Sequence, residues 1–149
     1  MSFRIRRIVT GHDASGKAVV STDGQVESSP GKIDKNISAA DIWWTRSSPA
    51  DIGVHDAREE PSPGMPTPAG TILKVLELSP GTQPVMHETE TLDYVIVMEG
   101  EVDMLLDDGA EVHMKAGEVI IQRGTLHGWA NRGDKPCRIA FVLVDARRP

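Results

Sequence analysis

Short runs of β-branched and aromatic residues, separated by glycine turns, follow one another from Gly70 to the end of this 149-residue chain. Runs of this length and composition are typical of β-strands, and the Asp108-Gly109 pair is a strong signal for a tight hairpin. Nothing in this part of the chain has the spacing of an amphipathic helix. Many short strands without helices predict an all-β sandwich or barrel. The strands are predicted at residues 71–78, 85–89, 92–99, 101–106, 110–115, 118–122, 126–130 and 137–145.

Two of these runs, residues 92–98 and 139–144, are apolar at nearly every position. A strand that is apolar on both faces has to be covered on both. One face would fill the barrel, and the other requires a second layer from the N-terminal strands, from a second subunit, or from both. We therefore expect a homodimer.

The N-terminal part of the chain predicts additional strands. Residues 3–9 and 17–21 are β-branched runs on either side of a glycine-containing turn, which predicts a hairpin. Residues 22–39 are polar and predict a loop. The tryptophan-containing residues 41–46 predict one short strand, whose two tryptophans face opposite sides.

Recurring prolines between residues 47 and 69 exclude regular strand ladders and helices from that interval. A segment of this length is either a flexible linker or a strap that crosses a surface or the mouth of the barrel. Ile52, Val54 and Met65 are apolar and could anchor it, which favours the strap.

A chain of this length fits one structural domain and can bury a single hydrophobic core. Within that domain, residues 1–69 would supply N-terminal strands and the proline-rich strap, both packed on the barrel. Residues 70–149 would form the barrel itself.

The composition limits the possible binding partners and the cellular compartment of the protein. The chain has 22 Asp plus Glu against 16 Lys plus Arg, which argues against nucleic acid as a partner. No stretch approaches the roughly 20 apolar residues that cross a bilayer, and no apolar signal region follows Met1. We expect a cytoplasmic protein without a membrane partner. The single cysteine, Cys137, is expected to be a small core residue.

Two polar clusters interrupt the strands, one around His87 and one around His127. Side chains two apart on a strand share a face, so His87 and Asp93 lie on the same side as the apolar Val95. That face points inward, and His127 could meet the other two inside a closed sheet. Two imidazoles and a carboxylate are the ligand set of an open divalent-metal site. A hydrogen-bonded structural role is the alternative for both histidines, and it is the expected role of His113.

The spacing of these residues resembles the two sequence motifs of the cupin superfamily of small β-barrels. The first motif, G-x5-H-x-H-x3–4-E-x6-G, and the second, G-x5-P-x-G-x2-H-x3-N, are matched in spacing at Gly81, His87, Asp93 and Gly100, and at Gly117, His127 and Asn131. The resemblance covers about residues 70–145 and implies a cupin-type double-stranded β-helix, which is a jelly-roll barrel. The chain is most similar to small single-domain cupins with a Gln-Arg-Gly-Thr-x-His-x-Trp-x-Asn second motif. Some of these are linked to aromatic polyketide cyclisation.

Several positions depart from the family's motifs. Thr89 stands where the family has its second histidine, and Asp93 replaces a longer glutamate. Arg123 and Thr125 replace the proline and the glycine of the second motif. The resemblance therefore implies a three-ligand site made by His87, Asp93 and His127. This site would bind Fe, Zn, Mn or Ni weakly and with partial occupancy.

The same placement implies roles for the neighbouring residues. Thr89 would orient a bound water or substrate, and Trp129 would form an apolar wall beside it. Asn131 is a weaker pocket candidate, since its side chain could instead hold the following turn.

Two functions remain open at this point. The first is a metal-dependent enzyme, an oxygenase or an isomerase or cyclase, that acts on a small aromatic or carboxylated molecule. The second is a non-catalytic barrel that binds a small molecule without stoichiometric metal. A regulatory partner of another enzyme is a third possibility.

Overall fold

The structure, a computed structural model, describes residues 2–53 and 55–149. Eleven strands and two short 3-10 turns, Ala57–Glu59 and Asp107–Gly109, make up its regular elements. No helix in this part of the chain is long and apolar enough to span a bilayer. The strands are β1 (Arg4–His12), β2 (Ala18–Glu27), β3 (Ser29–Pro30), β4 (Ile37–Thr45), β5 (Thr71–Leu78), β6 (Thr91–Glu99), β7 (Glu101–Leu105), β8 (Glu111–Lys115), β9 (Val119–Arg123), β10 (Gly128–Ala130) and β11 (Cys137–Asp145).

The strands form three antiparallel sheets. The large sheet has the order β3-β4-β5-β11-β6-β9, the small one β10-β7-β8, and β1 pairs with β2 as a separate hairpin. The all-β prediction is confirmed, and so is the N-terminal hairpin. β3 and β4 come from the first 69 residues, yet they extend the large sheet through the pairing of β4 with β5 instead of lying on the barrel.

One core cluster joins the inner faces of the large and small sheets. Val95, Ile139 and Phe141 of the large sheet and Met104 and Trp129 of the small one are among its buried members. The period-2 alternation of β6 and β11 places every second residue in this core, as strand geometry requires. Burying apolar surface here supplies the main driving force for closing the barrel.

Trp44 and Cys137 are two further core residues whose burial agrees with the sequence analysis. Trp44 is buried in it while its neighbour Trp43 is only half-buried. Cys137 is fully buried, and burial is the main cause that raises the pKa of its thiol to about 12. A thiol with that pKa stays protonated and is a poor nucleophile.

A second core cluster lies on the outer face of the large sheet. Phe3 and Val26 of the β1–β2 hairpin pack there against Ala40, Ile42 and Val75. The N-terminal strands thus supply part of the second layer that the two-faced apolar strands require. The outer face of β6 and β9 lies beyond this cover.

Two segments differ from their prediction. Residues 85–89 form no strand, and only an isolated bridge at His87 pairs there. A ladder needs a continuous partner, and the segment facing it turns at Gly124, whose φ is 63°. Residues 22–39 are not all loop, because β2 runs to Glu27 and β4 begins at Ile37. The polar side chains of β2 lie on an exposed hairpin, so their polarity does not end the strand.

Residues 56–64 of the proline-rich segment contact the strands mainly through polar groups. Arg7 of β1 donates to both carboxylate oxygens of Asp56 in an ion pair whose side chains are only 10% and 17% exposed. The Lys74 ammonium donates to the Gly64 carbonyl at 2.7 Å, and Ala57 packs on the inner core. These contacts support the strap interpretation.

Two of the three apolar residues expected to anchor the strap do not do so. Ile52 is 96% exposed and Met65 is 42% exposed. Val54 lies outside the described residues. The Arg7–Asp56 ion pair is the anchor that the apolar pattern did not reveal.

Breaking this ion pair should loosen the strap. In Arg7→Met the Asp56 carboxylate, whose pKa the Arg7 hydrogen bond holds at about 2, loses its charged partner. We expect the free energy of unfolding, measured in urea at neutral pH, to fall by about 2 kcal/mol. This is less than for a fully buried pair because Asp56 keeps some contact with water. Trypsin cleavage at Arg58 should also become faster.

The matched control is Arg4→Met, which removes an ion pair to Glu27 between side chains that are 70% and 65% exposed. It should change stability much less. Equal losses in the two variants would show that the strap does not depend on Arg7.

A charged cluster crosses the β7–β8 hairpin on the outside of the small sheet. His113 Nδ1 lies 2.6 Å from an Asp103 carboxylate oxygen, and its Nε2 lies 3.1 Å from a Glu101 oxygen. Arg132 contacts both Asp103 and Glu111. The role of His113 is structural, as expected, and the hydrogen bonds to Asp103 and Glu101 raise its pKa above 6.5.

This cluster predicts a pH-dependent contribution to stability. A group whose pKa is raised by folding stabilises the protein fully below its unfolded pKa, about 6.5 for histidine, and loses that effect as the pH rises through the folded value. His113→Gln should therefore lower the thermal midpoint at mildly acidic pH and leave it nearly unchanged in alkaline buffer. His12→Gln, on the N-terminal hairpin, is the control. A difference that grew with rising pH would contradict this assignment.

Candidate functional site

An isolated backbone bridge joins the two polar clusters of the sequence at their histidines. The His87 N–H donates to the His127 carbonyl, and the His127 N–H donates to the His87 carbonyl, both at 2.9 Å. This pairing brings the two imidazole rings together with their centroids 4.4 Å apart and their planes at 57°. The two histidines that the sequence singled out therefore share one site.

The same local hydrogen bond orients both rings. His87 Nδ1 lies 2.8 Å from the Val85 carbonyl oxygen, and His127 Nδ1 lies 2.8 Å from that of Thr125. A carbonyl only accepts, so in each neutral ring Nδ1 carries the hydrogen and Nε2 keeps its lone pair. Each Nε2 can therefore bind a metal ion, accept a proton or accept a hydrogen bond from a ligand.

The two rings differ in their surroundings. His127 is 3% exposed, and its ring meets the edge of Trp129 at a centroid distance of 5.9 Å. Trp129 in turn packs edge-on against Phe141 at 5.6 Å. His87 is exposed. Burial lowers the pKa of His127, so its imidazole is neutral at physiological pH.

Asp93 projects from β6 into the barrel beside this pair. Its side chain is 3% exposed, and its Oδ1 is buried without a hydrogen-bond partner. Burial raises the pKa of Asp93, and the hydrogen bond from the Thr91 hydroxyl lowers it by less. A buried acceptor without a donor is costly in a folded protein, so it is a feature to expect where a ligand binds.

Gln122 is a site residue that the sequence interpretation missed. It pairs with Asp93 across β6 and β9, is 3% exposed, and its Oε1 is also buried without a partner. Its Nε2 donates only to the Met104 sulfur, at 3.4 Å, which is a weak acceptor. The alternation of side chains along a strand could have indicated that Gln122 points inward, because it lies on the same face as Ile120.

The remaining candidates occupy different surroundings. Thr89 is half-buried, and its hydroxyl is hydrogen-bonded to that of Thr91 at 2.9 Å. Trp129 forms part of the barrel wall next to His127. The Asn131 amide donates to the Leu78 and Lys135 carbonyls, at 2.9 and 2.8 Å.

Asn131 also uses its side-chain oxygen within the chain. Its Oδ1 accepts from the Gly133 N–H at 3.0 Å, and the residue is 1% exposed. Every polar atom of this side chain is thus engaged with the backbone around the turn. This arrangement matches the turn-holding alternative and leaves no group of Asn131 for a substrate.

The donor set fits a divalent metal ion in kind, but its arrangement is incomplete. The two free Nε2 atoms and the unpartnered Asp93 Oδ1 are nitrogen and oxygen donors of the type that Fe, Zn, Mn and Ni accept. Yet no three His, Cys, Asp or Glu side chains are grouped as a metal site requires, in residues 2–53 or 55–149. The fold therefore offers two imidazole ligands, with Asp93 as a neighbouring carboxylate.

Comparisons with known proteins agree with this fold. The family model described as "Cupin domain" matches residues 74–144. "Phomopsin biosynthesis cluster protein C'" from Diaporthe leptostromiformis is 34% identical over 152 residues, covering 95% of this chain and 78% of the relative. The "Cupin-domain-containing oxidoreductase fogC" from Aspergillus ruber is 35% identical over 150 residues, covering 95% and 73%.

A solved structure extends the likeness to three dimensions. The polyketide cyclase RemF from Streptomyces resistomycificus superposes with a TM-score of 0.53 at 25% identity, covering 83% of this chain and 77% of that one. The expectation of a jelly-roll barrel is thereby confirmed.

Removing the buried charge next to the histidines should stabilise the protein. In chelator-treated protein, Asp93→Asn eliminates a carboxylate whose Oδ1 has no donor. We expect the free energy of unfolding at neutral pH to rise by about 1–3 kcal/mol, measured by urea denaturation. Asp134→Asn, at an exposed position, should change it by less than about 0.5 kcal/mol. A clear loss of stability in Asp93→Asn would show that the carboxylate holds the fold together instead of serving a ligand.

Proposed function

The chain belongs to the cupin family, and on that premise we propose that it is an enzyme that transforms a small organic molecule beside His87, Asp93 and His127. The observation that carries the proposal is the bridged histidine pair with both Nε2 atoms free, next to a buried carboxylate oxygen without a donor. Groups left unsatisfied in a folded core are commonly satisfied by what the protein binds.

The relatives favour an enzyme over a structural role. One is named an oxidoreductase, another belongs to a biosynthesis cluster, and the similar solved structure is a polyketide cyclase. Trp129 meets the His127 ring edge-on and packs in turn against the buried Phe141. An aromatic ring beside the histidines suits a flat aromatic substrate, because aromatic rings pack well edge to face. A small aromatic or carboxylated molecule is the substrate class we propose.

The chain's own residues can move protons at this site. His127 is neutral because burial lowers its pKa, so in the metal-free site its Nε2 can accept a proton from a bound substrate. Burial raises the pKa of Asp93, which brings this carboxyl closer to the range in which it can return a proton. The neutral imidazole supplies a base and the carboxyl supplies an acid, which are the two groups that isomerisation or cyclisation needs.

A divalent ion is the proposed cofactor. His87 and His127 would hold it, with Asp93 as the third ligand, and Fe, Zn, Mn or Ni would supply Lewis-acid chemistry or, for iron, redox chemistry. With Thr89 at the position of the family's second histidine, binding would be weak. Gln122 and Thr89 would orient the substrate through their side-chain oxygens.

A second function is favoured by one observation. No three ligating side chains are grouped in the described residues, so the pair could serve a barrel that binds a small molecule without metal or catalysis. In that case His87, Asp93 and His127 would only form hydrogen bonds to the ligand. The two functions differ in whether the isolated protein binds a metal ion.

Metal titration separates them. Chelator-treated protein titrated with Fe(II), Zn(II), Mn(II) or Ni(II) should show saturable heat by calorimetry and a change in tryptophan fluorescence, since Trp129 contacts His127. His87→Ala and His127→Ala should each weaken binding at least about 100-fold. His113→Ala removes an exposed histidine that is already paired with Asp103 and Glu101, and it should leave binding unchanged. Wild-type protein that binds none of the four ions would reject the metal-dependent enzyme and favour the binding barrel.

A further inference from the structure

Gln122 buries an amide oxygen that the protein itself does not satisfy. The residue is 3% exposed, and its Oε1 accepts no hydrogen bond from residues 2–53 or 55–149. Its Nε2 faces the Met104 sulfur at 3.4 Å. The reversed amide would place the oxygen against that sulfur, which has no hydrogen to donate. The orientation with Oε1 unpartnered is therefore favoured, and this oxygen stays an acceptor over the whole physiological pH range because an amide does not titrate there.

A second unsatisfied acceptor lies directly opposite. Asp93 of β6 pairs with Gln122 of β9 in the antiparallel register, and its Oδ1 is also buried without a donor. Directly opposed side chains on one face of a sheet are neighbours. An ionised carboxylate and an amide oxygen are both acceptors, so each needs a hydrogen from a third group. Each oxygen reduces stability until such a donor reaches it.

The neighbours of this pair on the core side have no hydrogen to offer. Leu143 of β11 lies opposite Asp93. The next inner row along β6 and β9 consists of Val95 and Ile120, which pair with each other. All three side chains are hydrocarbon and belong to the inner core or pack against it. A donor for either oxygen therefore has to come from another side.

The opposite side of the pair faces the loops that carry the histidines. β6 begins soon after His87, and β9 ends shortly before His127. Asp93 and Gln122 lie close to these strand ends, beside the site in which we propose that a small molecule binds. A molecule bound there is in position to bring the missing hydrogen.

A metal ion at the histidines would leave the need at Gln122 unmet. Imidazoles select ions such as Fe, Zn and Ni, whereas amide carbonyls suit Mg, Ca and Mn. The Gln122 oxygen thus remains for an organic group. An ionised carboxylate offers only acceptors and cannot satisfy this oxygen, whereas a hydroxyl brings the hydrogen that it lacks.

We infer that Gln122 is a specificity-determining residue that accepts a hydrogen bond from a hydroxyl group of the substrate. The inference rests on the proposed function and narrows its substrate class from aromatic or carboxylated molecules to aromatic molecules with a hydroxyl group, such as phenols. Trp129, whose ring meets that of His127 edge-on, provides the aromatic neighbour for the substrate ring.

The test compares three probes with one ring system. 2-Naphthol has a hydroxyl, 2-methoxynaphthalene has no hydrogen to donate, and 2-naphthoate is a carboxylate. Calorimetry with chelator-treated and with zinc-loaded wild-type protein should show 2-naphthol bound at least about tenfold more tightly than either other probe. Gln122→Met keeps the length of the side chain and removes the amide oxygen. It should bind 2-naphthol about tenfold more weakly than wild type and 2-methoxynaphthalene equally well.

A second measurement needs no probe. Removing a buried acceptor without a donor should raise the thermal midpoint of ligand-free Gln122→Met by about 2–4 °C. Gln25→Met, at an exposed position of β2, is the matched control and should change neither the midpoint nor the affinities. Circular dichroism checks that each variant keeps its β-structure, and Gln122→Leu replaces Gln122→Met if the latter does not fold.

Several outcomes would overturn the inference. These are equal affinities for the three probes, no saturable binding of 2-naphthol, or a wild-type preference that persists in Gln122→Met. A loss of stability in Gln122→Met would show that the amide serves the fold, and a loss of zinc affinity would make it a metal ligand. Failure of the proposed function looks different, because the protein would then bind no metal ion while its preference for 2-naphthol still depended on Gln122.

Discussion

Two backbone hydrogen bonds between His87 and His127 hold the candidate site together. They lie outside the named ladders of the barrel and join the loop before β6 to the loop before β10. Each loop also orients its own imidazole through a carbonyl two residues earlier in the chain. The site is thus made from loop backbone, while the barrel supplies the frame around it.

The interior of the barrel next to the site contains buried polar groups that destabilise the fold. Asp93 and Gln122 stand opposite each other on neighbouring strands, and each has a buried oxygen without a donor. Such groups reduce stability, and the cost has to be offset by apolar burial elsewhere. The inner core around Ile139 and the outer cluster under Phe3 provide it. Stability and site chemistry are therefore supplied by different parts of the same sheet.

The sequence was most informative where hydrophobicity decides the structure. β5 and β11 occupy the residues predicted for them, because each is an apolar run between turn residues. Parity also placed Asp93 on the inner face with Val95. It could not reveal that residues 85–89 pair only at His87, since this depends on where the facing loop turns.

Polar contacts across long sequence separations were equally hidden. Arg7 and Asp56 are 49 residues apart, and neither stands in a recognisable pattern. The sequence therefore predicted the strap but not the ion pair that anchors it. Gln122 was missed because a lone glutamine in a strand has no motif, and its unpartnered oxygen is a property of the packed barrel alone. The local sequence pattern predicts the strands, whereas the hydrogen-bond partners of polar side chains depend on the closed fold.

The unequal exposure of the two histidines has a kinetic consequence. His127 is enclosed beside Trp129, while His87 faces water, so the open side of the pair is the side of His87. A species that binds both rings would therefore contact the outer ring of His87 first and the inner ring of His127 second. The outer histidine would then govern how fast a bound species enters and leaves, and the inner one how long it stays.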